Sequence, residues 1–307
     1  MRQFSTRVRA IAQALLVILL WSTSFVLIRL GLEDLPPLTF AGIRYFLAFL
    51  CLLPLALRRR PIETIRRLPP VMRRKLILMG LMQYTLSQSM IFSALTVLPG
   101  STVTLLLNFA TPIVGIAGTY LLGERPRRLQ IVGLLIFFVG LFIYFTPLDI
   151  PTEEITGLLY MGIVILSTTS TSLLGRSINR SQRLPPVLVT AFTMGVGSSL
   201  LLALGLIIQG LPALTWRHAA LIGWLAVVNT AFAFTLWNHV QRTLTALEFS
   251  SIADTLVFNV ALWEWLVFGM TLTLRQIGGM ILAFAGSVLV QAYGARARRR
   301  RRSADQV

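Results

Sequence analysis

"TYLLGERPRRLQIVG", residues 119–133, interrupts a long apolar run with Gly123-Glu124-Arg125-Pro126-Arg127-Arg128, and the run resumes at once. Residues 268–279, "FGMTLTLRQIGG", have the same shape: apolar run, glycine, short gap, then Gln-Ile-x-Gly opening the next run. Setting Gln130 on Gln276 brings Gly123 onto Gly269, Gly133 onto Gly279 and Gly140 onto Gly286. A second echo, "DLPPLTF" at 34–40 and "RLPPVLV" at 183–189, opens corresponding segments. The chain therefore reads as a duplication, with repeats at 1–147 and 148–293 and a basic tail at 294–307.

The solvent of both repeats follows from composition. The 307 residues are 55% apolar and 13% charged, with mean hydropathy +0.76; soluble domains carry about 25% charged residues. Spans of about 20 apolar residues fall at 10–30, 38–57, 75–97, 100–122, 127–146, 155–176, 187–208, 217–239, 246–269 and 275–293. The first span follows a basic start and imitates a signal peptide, but no small-x-small cleavage site follows. The expected fold is an all-α polytopic membrane protein of ten transmembrane helices. A unit with an odd number of spans sits upside down relative to its copy, so these are two inverted five-helix repeats, a build used by secondary transporters with the substrate site near the bilayer midplane at the repeat interface.

Charge sets the orientation. With ten spans both termini share one side. That side holds 24 of the 28 basic residues: Arg2, Arg7 and Arg9; the group from Arg58 to Lys75; Arg125, Arg127 and Arg128; Arg176, Arg180 and Arg183; Arg242; and the tail from Arg296 to Arg302. Arg29, Arg217 and Arg275 lie on the other side, with Glu33, Asp34, Asp149, Glu153 and Glu154. Lys and Arg concentrate on cytoplasmic loops. The expected location is a bacterial-type inner membrane with both termini cytoplasmic. The Glu124 turn is then charged because it stays inside, and the Met270 turn has lost charge because it must cross. The pI of about 11.6 reads as topology plus attraction to anionic lipid, not nucleic-acid binding. One cysteine, Cys51, permits no intrachain disulfide.

"LLWSTSFVLIRLGL" (19–32), "PLTFAGIRYFLAFLCLLPLAL" (37–57) and "NFATPIVGIAGTYLLGERPRRLQIVGLLIFFVGLFI" (108–143) resemble the drug/metabolite transporter superfamily, EamA type. Pro112, the "LLGE" ending Leu121 to Glu124, and Gln130 with Gly133 are the most specific marks, and the resemblance spans nearly the whole chain. It implies ten spans in two inverted halves and movement of small metabolites, often outward. The second half departs from the family pattern: Phe258 and Met270 stand where a proline and a closing glutamate are usual, and Asp254 and Glu264 lie inside the span.

Charges within spans are functional candidates by default. At 1.5 Å per residue, Arg44 lies about 9 Å below the outer end of its span and Glu264 about 8 Å below the outer end of its own. Matched depth suggests a pair, serving as an outer gate or as a structural contact. Asp254 lies about 12 Å above the cytoplasmic end, near midplane. A carboxylate there is protonated, sits in a wet cavity, or meets a cation from outside, either a proton or a substrate ammonium. Gln83, Gln88, Asn108 and Asn229 are costly to bury and are candidate cavity residues; Gln83 with Ser87, and Tyr84 with Gln88, share helical faces at four-residue spacing. Trp21, central in its span, and Trp237 are candidate aromatic walls suited to cation–π contact. Trp216, Trp224, Trp263 and Trp265 are expected at the interfaces.

An enzyme would need a nucleophile–base or metal constellation, yet His218 and His239 fall on opposite sides of the membrane and Cys51 has no partners. No cofactor is implied. A non-transporting structural or sensor protein is the other rival reading, marked by sealed helices with no central cavity. The reading that fits best is a secondary carrier working by alternating access, an exporter of amino acids, amines or drug-like compounds. Its partners are a small-molecule substrate and membrane lipids; proton coupling and a homo-oligomeric state stay open.

Overall fold

The computed structural model describes residues 2–58, 65, 67–110, 113, 128–146, 151–180, 184–240, 244 and 252–304. The turn at 119–127, Pro112 and the start of the ninth span lie outside the described residues. All regular elements among those described are helical: α1 (Arg2–Gly31), α2 (Pro37–Leu57), α3 (Pro70–Gly80), α4 (Gln88–Ala94), α5 (Gly100–Leu107), α6 (Arg128–Phe145), α7 (Thr152–Arg180), α8 (Pro186–Gln209), α9 (Trp216–Ala226), α10 (Ala233–Val240), α11 (Leu256–Phe268) and α12 (Leu274–Ala304). Two π-helical segments, Leu81–Ser87 and Val227–Phe232, join α3 to α4 and α9 to α10 without a break. Stretches such as Val8–Gly31, Pro37–Leu57, Thr152–Gly175, Val187–Gln209 and Trp216–Trp237 are long and apolar enough to cross a membrane. Outward-facing Leu159, Leu166 and Ile207 are well exposed, as a lipid-facing surface requires. The last helix runs past its expected end at 293 and through the arginine tail to Ala304.

Two compact units form, and neither is a sequence repeat. The first comprises Met1–Thr23, Gly100–Pro151 and Leu236–Val307; the second comprises Ser24–Pro99 and Thr152–Thr235. Each unit thus takes helices from both halves of the chain.

In the first unit α6 packs on α12 through glycines that the repeat alignment had equated. A methyl group on Gly133 would lie 2.9 Å from the Gly286 carbonyl oxygen, and one on Gly140 would lie 2.7 Å from that of Gly279. Exchanging the two halves turns the first contact into the second. This swap is what a two-fold relation between inverted copies demands. Small residues let backbones approach closely in a solvent as apolar as the side chains, where dispersion and hydrogen bonds must hold helices together. Phe137, Leu141 and Tyr144 of α6 join Met280 and Ala283 of α12, Val257 of α11 and Leu105 of α5 in one core.

In the second unit α2 packs on α8 by the same device. Gly42 faces the Leu202 backbone, Gly205 faces that of Thr39, and Ala56 forms a buried cluster with Leu188 and Ala191. Gly80 and Gly197 bring the α3 backbone against α8, where Thr85 Oγ1 donates to the Gly197 carbonyl at 2.8 Å.

Helix starts also draw on distant sequence. The first N–H groups of a helix have no partner within it, and a bilayer offers little water to supply one. The Gln209 side chain at the end of α8 accepts from the N–H groups of Leu38 and Thr39 at the start of α2, at 2.9 and 3.2 Å. Gly269 closes α11 in the left-handed region (φ 67°), which glycine enters without steric cost.

Candidate functional site

Each unit carries a polar cluster of its own. In the second unit it is organised by the π segments. Leu81–Ser87 and Val227–Phe232 are displaced by 146 positions at their starts, as are Gly133 and Gly279, so the irregularity recurs at matching places in the two halves. A π turn widens the helix and often marks a functional site. It also breaks the expected four-residue pairing: Gln83 with Ser87 and Tyr84 with Gln88 were assigned common faces on α-helical spacing, whereas Ser87 is 1% exposed and Gln83 only half-buried. Gln83 Oε1 accepts from Thr171 Oγ1 at 2.9 Å, and the Met82 carbonyl accepts from Ser167 Oγ at 2.6 Å. Two hydroxyls of α7 therefore serve the first π segment.

The second π segment places Asn229 and Thr230 side by side, both fully buried. Asn229 Nδ2 donates to Ser24 Oγ at 2.8 Å. Thr230 Oγ1 donates to the Leu225 carbonyl and accepts from Arg44 Nε at 3.3 Å. Arg44 is 4% exposed. Its guanidinium lies over the rings of Tyr45 and Phe92, 5.1 and 5.9 Å from their centroids. Tyr45 packs on Tyr84 at 5.7 Å and donates its hydroxyl to Gln88 Oε1 at 2.7 Å. All these partners of Arg44 are neutral. Such contacts return about 1–2 kcal/mol each, against a desolvation cost of several kcal/mol for a buried cation.

In the first unit Asp254, 5% exposed, accepts from Ser287 Oγ of α12 at 2.9 Å. Trp21 of α1 and Trp237 of α10 meet with ring centroids 4.9 Å apart. Trp263 Nε1 donates to Ser22 Oγ at 3.1 Å, so this indole turns toward α1 and is not an interfacial anchor. Trp216, Trp224 and Trp265 are exposed, as an interfacial place requires. Asn108 lies half-buried just beyond α5.

Glu264, 3% exposed, has a role the sequence did not suggest. Its two carboxylate oxygens accept from the N–H groups of Gly100 and Ser101, at 2.6 and 2.9 Å. These are the first residues of α5, so a carboxylate from α11 meets the positive end of another helix. The expected Arg44–Glu264 pair thus gives way, in the contacts described for each residue, to a hydroxyl and two rings for Arg44 and to a helix start for Glu264.

Of the candidates, the structure joins Arg44 and Gln88 through Tyr45, sets Asn229 next to Arg44's partner Thr230, and brings Trp21 to Trp237. Tyr45, Thr230, Ser287 and Trp263 complete these clusters. Tyr45 is adjacent to a charged residue and was legible on that ground; a serine in the last span carries no signal.

The EamA-like transporter family matches residues 8–146 and again residues 155–292. The chain belongs to that family. Like other EamA-like proteins it is a multi-pass membrane transporter built on two copies of one domain. Among relatives, YoaV of Bacillus subtilis, a transporter, is 24% identical over 276 residues, 88% of this chain and 92% of its own length. A probable amino-acid metabolite efflux pump of Salmonella typhimurium is 25% identical over 303 residues, 93% of this chain and 95% of its own. A transporter of Archaeoglobus fulgidus is 28% identical over 277 residues, 89% and 93% of the two chains. One crystal structure matches with a TM-score of 0.67 at 18% identity, covering 94% of this chain and 99% of that one; at such identity the likeness concerns the fold.

Proposed function

We propose that this EamA-like protein exports small metabolites, in the range of amino acids, amines and drug-like compounds, by alternating access. The observation that carries the reading is the pair of buried polar clusters. Asp254 and Arg44 are 5% and 4% exposed within apolar spans, and ionisable groups inside a bilayer are kept for transport pathways or proton relays. The reading is supported by the efflux pump of Salmonella typhimurium, which aligns over 93% of this chain. Trp21, Arg44, Gln83, Gln88, Asn108, Asn229, Trp237, Asp254 and Glu264 are the residues assigned to substrate handling, with Glu264 acting indirectly by holding the start of α5. Asp254 is the coupling candidate, since Ser287 can hydrogen-bond it whether or not it is protonated. Both termini are assigned to the cytoplasm by the arginine distribution, and the candidate rigid bodies of the cycle are the two compact units, not the two sequence repeats.

Counterflow into proteoliposomes is the test, with a panel of labelled amino acids, amines and drugs, run with and without an imposed pH gradient. Accumulation of at least one panel member, lost in Asp254→Asn, is the expected result. Equal accumulation in empty liposomes across the panel would remove the export reading, and insensitivity to the pH gradient would remove proton coupling.

A further inference from the structure

We propose that Arg44 is the docking point for a carboxylate on the transported molecule. This rests on the export reading and narrows it to monoanionic or zwitterionic acids.

The argument is a count of donors. A guanidinium has five N–H groups and no acceptor. Arg44 uses Nε–H on Thr230, and among the described residues no hydrogen bond occupies the four N–H groups of its two Nη atoms. Gln88 spends its oxygen on the Tyr45 hydroxyl, which leaves its amide N–H groups without an acceptor among the described residues. Turning the amide over would free the Tyr45 O–H instead, so the surplus of donors is unchanged. Ser87 Oγ, on the turn between Tyr84 and Gln88, is buried and has no hydrogen-bond partner among the described residues. Thr230 and Asn229 have already committed their donors to Leu225 and Ser24. The neighbourhood is therefore rich in donors, poor in acceptors and positively charged.

An ionised carboxylate is the matching opposite: acceptor only, with two oxygens spaced for the planar fork of an arginine. A lysine would not offer that fork, and an amine would be repelled. A phosphate dianion fits less well, because one guanidinium cancels one charge and every other group described around Arg44 is neutral. The rings of Tyr45, Phe92 and Tyr84 hold the guanidinium plane in place. That orients the unused edge before the ligand arrives and lowers the entropy lost on binding.

The test uses the full chain in lipid nanodiscs and measures thermal unfolding with added ligand, since a ligand that binds the folded state raises the midpoint. The probes are L-leucine, L-phenylalanine and L-glutamine, each beside its methyl ester and its decarboxylated amine. The acids are expected to bind about tenfold or more tightly than their esters, as for a charge-assisted bidentate contact. Arg44→Gln is expected to lose that preference, and Arg44→Lys to keep part of it. Should Arg44→Gln fail to fold, the acid–ester comparison on the unaltered protein decides alone. Equal binding of acids and esters, an undiminished preference in folded Arg44→Gln, or no response to any acid would overturn the proposal. Counterflow on the same preparations separates the two readings: acids that bind but are not moved leave the subsite and remove the exporter, whereas esters and amines moved as readily as acids leave the exporter and remove the subsite.

Discussion

Changing Gly279 to alanine tests the interlock of α6 and α12, and the adjacent Gly278 supplies the control. A methyl group at Gly279 would lie 2.6 Å from the Gly140 carbonyl oxygen, 2.7 Å from Tyr144 N and 3.0 Å from Tyr144 Cα. All three are backbone atoms, so no side chain can swing aside. Ordinary contact begins near 3.4 Å, which obliges the helices to part by about 0.4–0.8 Å. A gap of that size forfeits about a quarter to a half of each contact, worth ~0.1–0.2 kcal/mol. Over a few tens of atom pairs this comes to about 2 kcal/mol, within the usual ~1–3 kcal/mol for overpacking. A methyl at Gly278 meets nothing within 4 Å and should gain up to about 1 kcal/mol of helix propensity. The same substitution at neighbouring positions is therefore expected to act with opposite sign, the two variants differing by about 2–3 kcal/mol. Equilibrium unfolding in mixed lipid–detergent micelles would measure the difference. A Gly279→Ala protein as stable as Gly278→Ala would refute the interlock and, with it, the two-fold exchange of contacts between Gly133–Gly286 and Gly140–Gly279.

Three further outcomes follow from the clusters. Asp254→Asn keeps an oxygen for Ser287 and removes the ionisable group, so expression and unfolding midpoint should hold while counterflow falls to background; normal flux in this variant would clear Asp254 of any role in coupling. Glu264→Gln turns an NH₂ toward one of the N–H groups of Gly100 and Ser101, which should cost about 2–3 kcal/mol of stability and reduce the yield of folded protein; an unchanged midpoint would show that the carboxylate does not anchor α5. Tyr45→Phe removes the hydroxyl on Gln88 and keeps the ring beneath Arg44, so a loss of about 1 kcal/mol is expected with Arg44-dependent binding retained; loss of that binding would mean the hydroxyl, not the ring, positions the guanidinium.

The duplication, the helical class and the glycine correspondences were legible because each rests on local sequence: apolar runs of spanning length, and small residues at fixed spacing from Gln130 and Gln276. The candidate residues were found by the cost of burying them, which also lies in the sequence. Their partners were not. Arg44 and Glu264 were paired on depth alone, but depth says nothing of which way a helix is turned. Glu264 turns to the backbone of Gly100 and Ser101, a partner with no side-chain signature. Trp263 was assigned to an interface from its nearness to a helix end, yet a single hydroxyl at Ser22 suffices to hold the indole inward. The π segments escaped because no residue type announces them: "LMQYTLS" and "VVNTAF" have ordinary helical composition. The grouping of helices into units escaped as well, since it depends on contacts between the halves and not on order along the chain.

Each π turn holds one residue more than a regular helix needs. Deleting a single residue there would leave an unbroken α-helix, a length change that the backbone absorbs elsewhere only by breaking its ladder. Everything beyond the deletion would rotate by about 100°. In the third span that would swing Gln88 away from the Tyr45 hydroxyl. In the eighth it would carry Trp237 away from Trp21. A shortened chain of this kind would insert and fold yet present different side chains to its cargo, so related carriers that differ by one residue at these two places need not share a selectivity.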